Sequence, residues 1–262
     1  MSIDQSLDYP LTAEQVEFYR RNGYVRLPDV LTPEELDAAR RGVDEAVRKR
    51  EELSQSNLVD SDYARVFVQM VNLWQVSDIL RPCVLSAKLA SIAKRLSGFQ
   101  SVRLWHDHAL VKMPGDSKPS PWHQDLPYWP HDRSGSLSCW MALDDVTEEN
   151  GCMWFVPGSH QWGRLEPISL TDPQDIFSLV PDPAGKDFTS VPQPLKAGSC
   201  TFHDSLLFHY AGPNRTERPR RALVTIYMED GTRYTAAPHC VTDPLGLKAG
   251  DALEGDLFPV LA

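Results

Sequence analysis

The second part of this chain of 262 residues is a succession of short apolar or alternating runs, and no other feature constrains the fold as strongly. After Gly98 these runs are separated by turns rich in Pro, Gly, Asn and Asp, and Glu149-Asn150-Gly151 carries the plainest hairpin signal. Several short strands that follow a helical segment predict an antiparallel barrel or sandwich with helices on one side. The predicted strands are 102–113, 138–146, 152–156, 198–208 and 221–228.

The first hundred residues carry helix signals instead. Capping boxes at Thr12-Ala13-Glu14-Gln15 and Thr32-Pro33-Glu34-Glu35 predict helices that end near Gly23 and Leu53, with a short strand over 24–27 between them. A third helix is predicted over 84–96. The length suits one large domain. We therefore expect a single domain over 1–262, with a helical scaffold at about 10–97 and a β core at about 98–230.

The segment 169–194 is rich in Pro, Asp and Ser and shows weak periodicity. It is long for a plain connection, so it is either a mobile lid over a site or an inert insertion.

Composition narrows the possible partners and location. The net charge of −10 argues against a surface for nucleic acid or anionic membrane, which would need a basic patch. The N-terminus lacks a basic and apolar leader pattern, and no apolar run approaches a membrane span, so a cytoplasmic protein is expected. A disulfide framework or structural zinc site is not expected either. The five cysteines, which form no C-x-x-C, are Cys83, Cys139, Cys152, Cys200 and Cys240.

His123 and Asp125 form the most informative short motif. If Trp122 to Leu126 is extended, alternation sends the imidazole and the carboxylate to the same face, where both can bind one metal ion. A His-x-Asp pair is common by chance, so it needs further ligands to become specific.

His209 and Arg220 are the further residues that make the pair specific. His209 ends an apolar strand before a turn, and two histidines with one carboxylate form the facial triad of non-haem Fe(II) oxygenases. Zinc is compatible with the same ligands. Arg220 enters the next strand, where its planar guanidinium suits a carboxylate near the metal. Arg221 points to the opposite face, so only one of these two arginines can serve.

The other histidines form no better ligand set. His106 and His108 share a face but lack a third ligand at a comparable position, and His203 is close enough in sequence to exchange roles with His209. His160 is expected to fix a loop. Polar, proline-containing surroundings place His131 and His239 at the surface.

At these motifs the sequence resembles the phytanoyl-CoA dioxygenase family of Fe(II)/2-oxoglutarate oxygenases. The resemblance rests on W-H-Q-D-L-P-Y-W, S-C-W-M-A-L-D-D-V-T-E-E-N-G, V-P-G-S-H and H-Y-A-G-P-N-R-T-E-R-P-R-R-A, and it covers roughly residues 10–230. It implies a mainly β protein with flanking α-helices, built as a cupin-like double-stranded β-helix, or jelly roll. Four ordered motifs are far more specific than His-x-Asp alone.

The resemblance also implies roles for individual residues. His123, Asp125 and His209 would bind iron, and Arg220 would pair with the distal carboxylate of 2-oxoglutarate. Trp140 would lie beside this cosubstrate, unless it is plain core packing. His108 replaces a Gln that reaches the cosubstrate or substrate in relatives. Relatives often have Ser at the position of Ala211, so Arg220 needs a different helper here.

The implied reaction uses O2 and 2-oxoglutarate to hydroxylate an unactivated C–H of a small metabolite, with release of succinate and CO2. Asp125 favours hydroxylation, because related halogenases lose this carboxylate to admit chloride. Desaturation or cyclisation needs only a different substrate pose. The alternatives are a zinc hydrolase on the same triad and a non-catalytic jelly-roll binding module. Candidate substrate-binding residues are Trp105, Lys112, Trp122, Tyr128 and Trp129.

Overall fold

The computed structural model describes residues 9–54, 67–115, 117–170 and 175–262, and the α-helices among them all lie before residue 98. Both predicted capping boxes form, and the one at Thr12 exchanges hydrogen bonds with Gln15 in both directions. The last helix begins later than the pattern predicts, because Ser86 Oγ accepts from Leu89 N and caps it there. The helices are α1 (Ala13–Asn22), α2 (Pro33–Ser54), α3 (Leu73–Val76), α4 (Arg81–Val84) and α5 (Ala87–Ser97).

The strands form two antiparallel sheets. Their bounds are β1 (Tyr24–Leu27), β2 (Phe67–Val71), β3 (Val102–Lys112), β4 (Ser120–His123), β5 (Leu137–Ala142), β6 (Met153–Phe155), β7 (Val191–Gln193), β8 (Cys200–Asp204), β9 (His209–Ala211) and β10 (Arg220–Glu229). Six strands pair in the order β1-β8-β5-β10-β3-β2, and four pair in the order β4-β9-β6-β7. The prediction of a mainly β chain with flanking helices is confirmed. The two sheets do not close into one barrel in the described part of the chain.

The large sheet separates two apolar cores. On one face, Cys139, Phe202 and Tyr227 pack with residues of α1, α2 and α5. On the other face, Trp140 and Val224 pack with residues of the small sheet. Alternation along the strands produces both cores, because successive side chains leave a strand on opposite sides. The space between the two sheets is therefore reached by every second residue of the large sheet. Of the helices described, none has the length and apolar character that a membrane span requires.

The hairpin predicted at Glu149-Asn150-Gly151 is wrong, although the turn is present. β5 pairs with β8 and β10, whereas β6 pairs with β7 and β9, so the turn carries the chain from one sheet to the other. Asn150 Oδ1 accepts from Thr147 N at 2.8 Å and stabilises the turn locally. A turn motif specifies the reversal of the chain but not the partner of the strand that follows it.

Gly151 in this turn is where we expect the strongest effect of an added methyl group. Its φ is +89°, and a Cβ there would lie 2.5 Å from the carbonyl oxygen of Gly212. Gly151→Ala should lower the free energy of unfolding in urea by more than about 2 kcal/mol. Gly231→Ala is the matched control, because its φ is +84° but no atom lies within 4 Å of the added Cβ. We expect about 1 kcal/mol there from backbone strain alone, and equal losses would contradict the clash.

Candidate metal centre and its cavity

Two neighbouring strands and a turn bring three potential metal ligands together. His123 ends β4 directly opposite His209, which begins β9, and their ring centroids lie 4.1 Å apart. Asp125 Oδ1 lies 3.7 Å from Nε2 of His123 and 3.5 Å from Nε2 of His209. Within the described residues this is the one group of three such side chains whose ligand atoms all fall within 4.8 Å of one another.

The extended conformation predicted for Trp122 to Leu126 is wrong beyond His123. Asp125 has helical dihedral angles, φ −78° and ψ −45°, and it precedes a 3₁₀ turn at Leu126–Tyr128. The backbone N–H groups of Asp125 and Leu126 both donate to Ser205 O, each at 2.9 Å. A turn anchored on the β8–β9 connection, not strand alternation, therefore places the carboxylate beside the two imidazoles.

Backbone carbonyls orient both imidazoles. His123 Nδ1 lies 2.7 Å from Pro121 O, and His209 Nδ1 lies 2.9 Å from Leu207 O. A carbonyl only accepts, so each Nδ1 donates and each Nε2 keeps its lone pair for the space beside Asp125. Metal-binding histidines have this arrangement, in which the second nitrogen donates to a carbonyl and fixes the ring.

Two further side chains hold Asp125. Ser138 Oγ donates to its Oδ2 at 3.0 Å, and His203 Nε2 lies 3.4 Å from the same oxygen. His203 thus contacts the carboxylate and is outside the three-residue cluster. Ser138 did not emerge from the sequence motifs. The feature that could have identified Ser138 is its position as a polar residue in an apolar strand, on the same face as Trp140.

The electrostatics of the cluster suit a cation. Burial, followed by the proximity of His209, lowers the pKa of His123 to about 3, so this imidazole is neutral. Burial alone would raise the pKa of Asp125, but the nearby imidazoles of His209 and His203 hold it well below its usual range. At His209, burial alone would lower the pKa of the imidazole, but the neighbouring carboxylate of Asp125 has the larger effect. The pKa of His209 is therefore raised above its usual value. Two imidazoles and one ionised carboxylate are a donor set for Fe(II) or a similar divalent metal.

Arg220 is a buried cation with unsatisfied donors. Its side chain is 1% exposed and lies over the Trp140 ring, with 5.1 Å from Cζ to the ring centroid. Nε and Nη1 have no hydrogen-bond partner among the described residues. Burial lowers its pKa to about 10, which still leaves it charged at neutral pH. A buried guanidinium with free donors requires an anion, and a carboxylate fits its planar geometry.

Arg221 serves a different purpose, as the alternation of the strand predicts. It forms ion pairs with Asp144 at 2.6 Å and with Asp44 of α2 at 2.7 Å, on the helix side of the sheet. It is therefore directed away from the space between the sheets.

The cluster and Arg220 open into one cavity of about 330 Å³ between the sheets. Trp140 and His108 line this cavity, as do Tyr128 and Trp129 from the turn after Asp125. Leu170 is the lining residue that comes from the predicted lid. Residues 171–174 of that segment lie outside the described residues, and whether the segment moves stays a prediction.

Three predicted contact residues lie outside the lining. Trp105 is fully buried behind His106, in ring contact with His131 at 4.6 Å. Trp122 stacks on Tyr210 at 5.4 Å and packs against a small apolar cluster that includes Leu165, Ile176 and Phe208. Lys112 is buried and donates to the backbone carbonyls of residues 118, 211 and 212.

The surface location predicted for His131 is wrong, and that for His239 is wrong in part. His131 is 1% exposed, because Trp105 and Trp129 cover it. His239 is partly buried and lines the cavity from the segment that follows β10. Polar neighbours in sequence mislead here, since Trp105, whose ring contacts both histidines, comes from the distant strand β3.

Comparisons with known proteins agree on one family. The family model described as phytanoyl-CoA dioxygenase (PhyH) matches residues 19–222. A probable phytanoyl-CoA dioxygenase of Caenorhabditis elegans is 26% identical over 238 residues, which cover 84% of this chain and 76% of that protein.

Two solved structures resemble the whole chain. The non-haem alpha-ketoglutarate-dependent carbocyclase SnoK from nogalamycin biosynthesis has a TM-score of 0.82, is 32% identical and covers 97% of both chains. The epimerase SnoN in complex with Fe3+, alpha-ketoglutarate and nogalamycin RO has a TM-score of 0.75, is 30% identical and covers 95% of this chain and 98% of its own.

Proposed function

The chain belongs to the phytanoyl-CoA dioxygenase (PhyH) family, and from this premise we propose that it hydroxylates an unactivated C–H bond of a small molecule. It is an Fe(II)- and 2-oxoglutarate-dependent oxygenase that uses O2, with the jelly-roll fold of its structural relatives. The family match and the structural relatives argue against the two alternatives, a zinc hydrolase and a non-catalytic binding module. The observation that carries the proposal is a His-Asp-His cluster that lines the same cavity as a buried arginine with two unpaired donor atoms.

We assign the metal to His123, Asp125 and His209. The assignment is supported by the convergence of their ligand atoms and by the carbonyls that direct both Nε2 atoms inward. When bound, Fe(II) with 2-oxoglutarate and O2 supplies an oxidant strong enough to attack an unactivated C–H, with succinate and CO2 as coproducts. Ser138 and His203 keep Asp125 oriented in the protein.

We assign the distal carboxylate of 2-oxoglutarate to Arg220. Its Nε and Nη1 are buried without partners, so the guanidinium still has donors to offer an anionic group, and Trp140 supports it from one face. Ser120 is the cross-strand partner of Ala211 and lines the same cavity, so it is our candidate for the missing helper hydroxyl. His108 also lines the cavity and remains a predicted cosubstrate contact.

The remaining lining positions the substrate and keeps water out. Tyr128 and Trp129 flank the metal cluster, and the hydroxyl of Tyr128 donates to Ile168 O at 2.7 Å, which ties the turn to the chain segment next to Leu170. We propose a small biosynthetic intermediate as substrate, on the example of the two enzymes of nogalamycin biosynthesis. Among the described lining residues Arg220 is the one Lys or Arg, so a further cation for an acyl-CoA phosphate is not found there.

Oxidative ring closure or epimerisation is the second candidate, because SnoK is described as a carbocyclase and SnoN as an epimerase. Reaction under ¹⁸O2 separates the outcomes once a substrate is in hand. Hydroxylation should leave one ¹⁸O in the organic product, whereas ring closure or epimerisation should leave ¹⁸O in succinate but not in that product.

The first test needs no substrate. Anaerobic titration of the metal-free protein with Fe(II) and 2-oxoglutarate should produce a weak charge-transfer band in the visible spectrum. His209→Ala should lose this band, because it removes a proposed ligand, whereas His203→Ala should keep it. Iron bound by wild type without any such band would contradict the cosubstrate site, and loss of the band in His203→Ala alone would move the third ligand to His203.

Two further expectations stay predictions. We keep the single domain over 1–262, with a scaffold at about 10–97 and a core at about 98–230, and the cytoplasmic location. All five cysteines are free thiols, which is compatible with a reducing compartment.

A further inference from the structure

An irregularity in β3 lies beside the cavity. The register between β10 and β3 pairs Ile226 with His106 but Tyr227 with Leu104, so Trp105 has no partner on β10. Because of this bulge, Trp105 and His106 both lie on the face of the large sheet that is turned towards the small sheet. Trp105 belongs to the core between the sheets, and His106 lines the cavity. Bulges commonly redirect a side chain next to an active site.

A second histidine reaches the same place from the segment after β10. The ring of His239 lies 5.5 Å from that of His106 and 5.0 Å from that of Trp105, measured between centroids. Its backbone is fixed by a local turn, in which His239 N donates to Asp243 Oδ1 and Thr242 N donates to His239 O, each at 2.9 Å. The two imidazoles are therefore held as neighbours by separate parts of the fold.

The hydrogen bonds define the proton position on His106. Nδ1 lies 3.4 Å from the carbonyl oxygen of Asp107, which only accepts, so Nδ1 carries the proton. Burial lowers the pKa of His106 well below its usual range, so the ring is neutral and Nε2 is an acceptor. His106 is only 3% exposed, and its Nε2 has no hydrogen-bond partner among the described residues. Such an atom needs a donor.

The proton position on His239 is the opposite one. Val241 N donates to Nδ1 at 3.2 Å, so Nδ1 is the acceptor. Burial lowers the pKa of His239, against the opposing effect of Asp243, and the neutral ring then carries its proton on Nε2. His239 thus brings a donor to the cavity where His106 brings an acceptor.

One acceptor beside one donor is the complement of a single hydroxyl group. We propose that His106 and His239 together recognise a hydroxyl of the substrate, which donates to Nε2 of His106 and accepts from Nε2–H of His239. This assignment rests on the proposed oxygenase function and names its substrate class, an uncharged alcohol or phenol. Trp129 stands edge-on to His106, with 6.4 Å between centroids and 85° between planes, and supplies an apolar side for the body of the molecule.

A ketone probe shows whether both histidines take part in binding or the site is only generally polar. A carbonyl oxygen accepts from His239 but leaves His106 Nε2 unpaired, and a buried unpaired group weakens binding markedly. The same argument excludes a methyl ether. The site is one of specificity and positioning, because neither histidine belongs to the metal cluster.

The test compares 1-tetralol, 1-tetralone and tetralin as probes for the anaerobic complex with Fe(II) and 2-oxoglutarate, with affinities measured by calorimetry. Wild type should bind the alcohol about tenfold more tightly than the ketone. His106→Phe should reduce this ratio to about one and His239→Phe should weaken the alcohol and the ketone alike, since each removes one partner. His131→Phe is the matched control, a buried histidine next to Trp105 that does not line the cavity, and it should keep the wild-type ratio.

Nitrogen-15 spectra of the histidine rings test the premise without a probe. In metal-free protein His106 should be protonated on Nδ1 and His239 on Nε2, with each signal assigned by its loss in the phenylalanine variant. The opposite tautomer at either ring, equal affinity for alcohol and ketone in wild type, or no binding of the alcohol at millimolar concentration would overturn the proposal. The charge-transfer band reports separately on the oxygenase: its presence with a failed hydroxyl test rejects the hydroxyl site alone.

Discussion

Replacement of Asp125 by alanine is expected to lower 2-oxoglutarate-dependent succinate release by at least about a thousandfold, equivalent to about 4 kcal/mol. The carboxylate is the only anion in the proposed ligand set, and Ser138 and His203 orient it. Loss of a residue that merely orients a ligand costs 10- to 100-fold in metal affinity or activity in other proteins, so loss of a ligand should cost more. Succinate release and iron bound per chain are the measurements.

Asp204→Ala is the control for this variant. Asp204 is another largely buried carboxylate, in β8 next to His203, but it accepts from Leu206 N and does not line the cavity. Its removal should change succinate release by less than about fivefold per folded molecule, since a hydrogen bond of this kind contributes about 1 kcal/mol. If Asp125→Ala retained full turnover with normal iron content, the metal assignment would be wrong.

Arg220→Ala is expected to raise the dissociation constant for 2-oxoglutarate by at least about thirtyfold, because truncation of one partner of a buried charge pair costs about 2–5 kcal/mol. The same change should not destabilise the protein in the absence of 2-oxoglutarate, since it removes a buried cation that has two unpaired donors. Wild type, but not the variant, should gain thermal stability when 2-oxoglutarate is added to the metal-loaded protein.

Arg221→Ala provides the opposite pattern. It breaks the ion pairs with Asp144 and Asp44 on the helix side of the sheet, so it should lower the melting temperature of the ligand-free protein. Its affinity for 2-oxoglutarate should be unchanged. If the affinity for 2-oxoglutarate fell in Arg221→Ala but was unchanged in Arg220→Ala, Arg221 and not Arg220 would be the residue that binds the cosubstrate.

The sequence predicted those features that depend on neighbours along the chain. The capping box at Thr12 needs four consecutive residues, and the opposite directions of Arg220 and Arg221 follow from alternation along one strand. The motif around His123 and the histidine before the P-N turn were enough to select the three residues that the structure brings together.

The sequence misled wherever a residue's surroundings come from distant parts of the chain. The turn at Gly151 was identified, but its strands belong to different sheets. His131 lies among polar and proline residues along the chain and is nevertheless buried against Trp105, which comes from β3.

By itself, then, the sequence determined the fold class, the family and the candidate ligand set, because local motifs and periodicity encode them. Only the tertiary structure decided what surrounds the metal cluster. The turn at Asp125 is held by Ser205, the bulge at Trp105 turns His106 inward, and the segment after β10 brings His239 to within 5.5 Å of it. Each of these depends on pairing and packing between segments far apart in sequence, and no local pattern specifies such contacts.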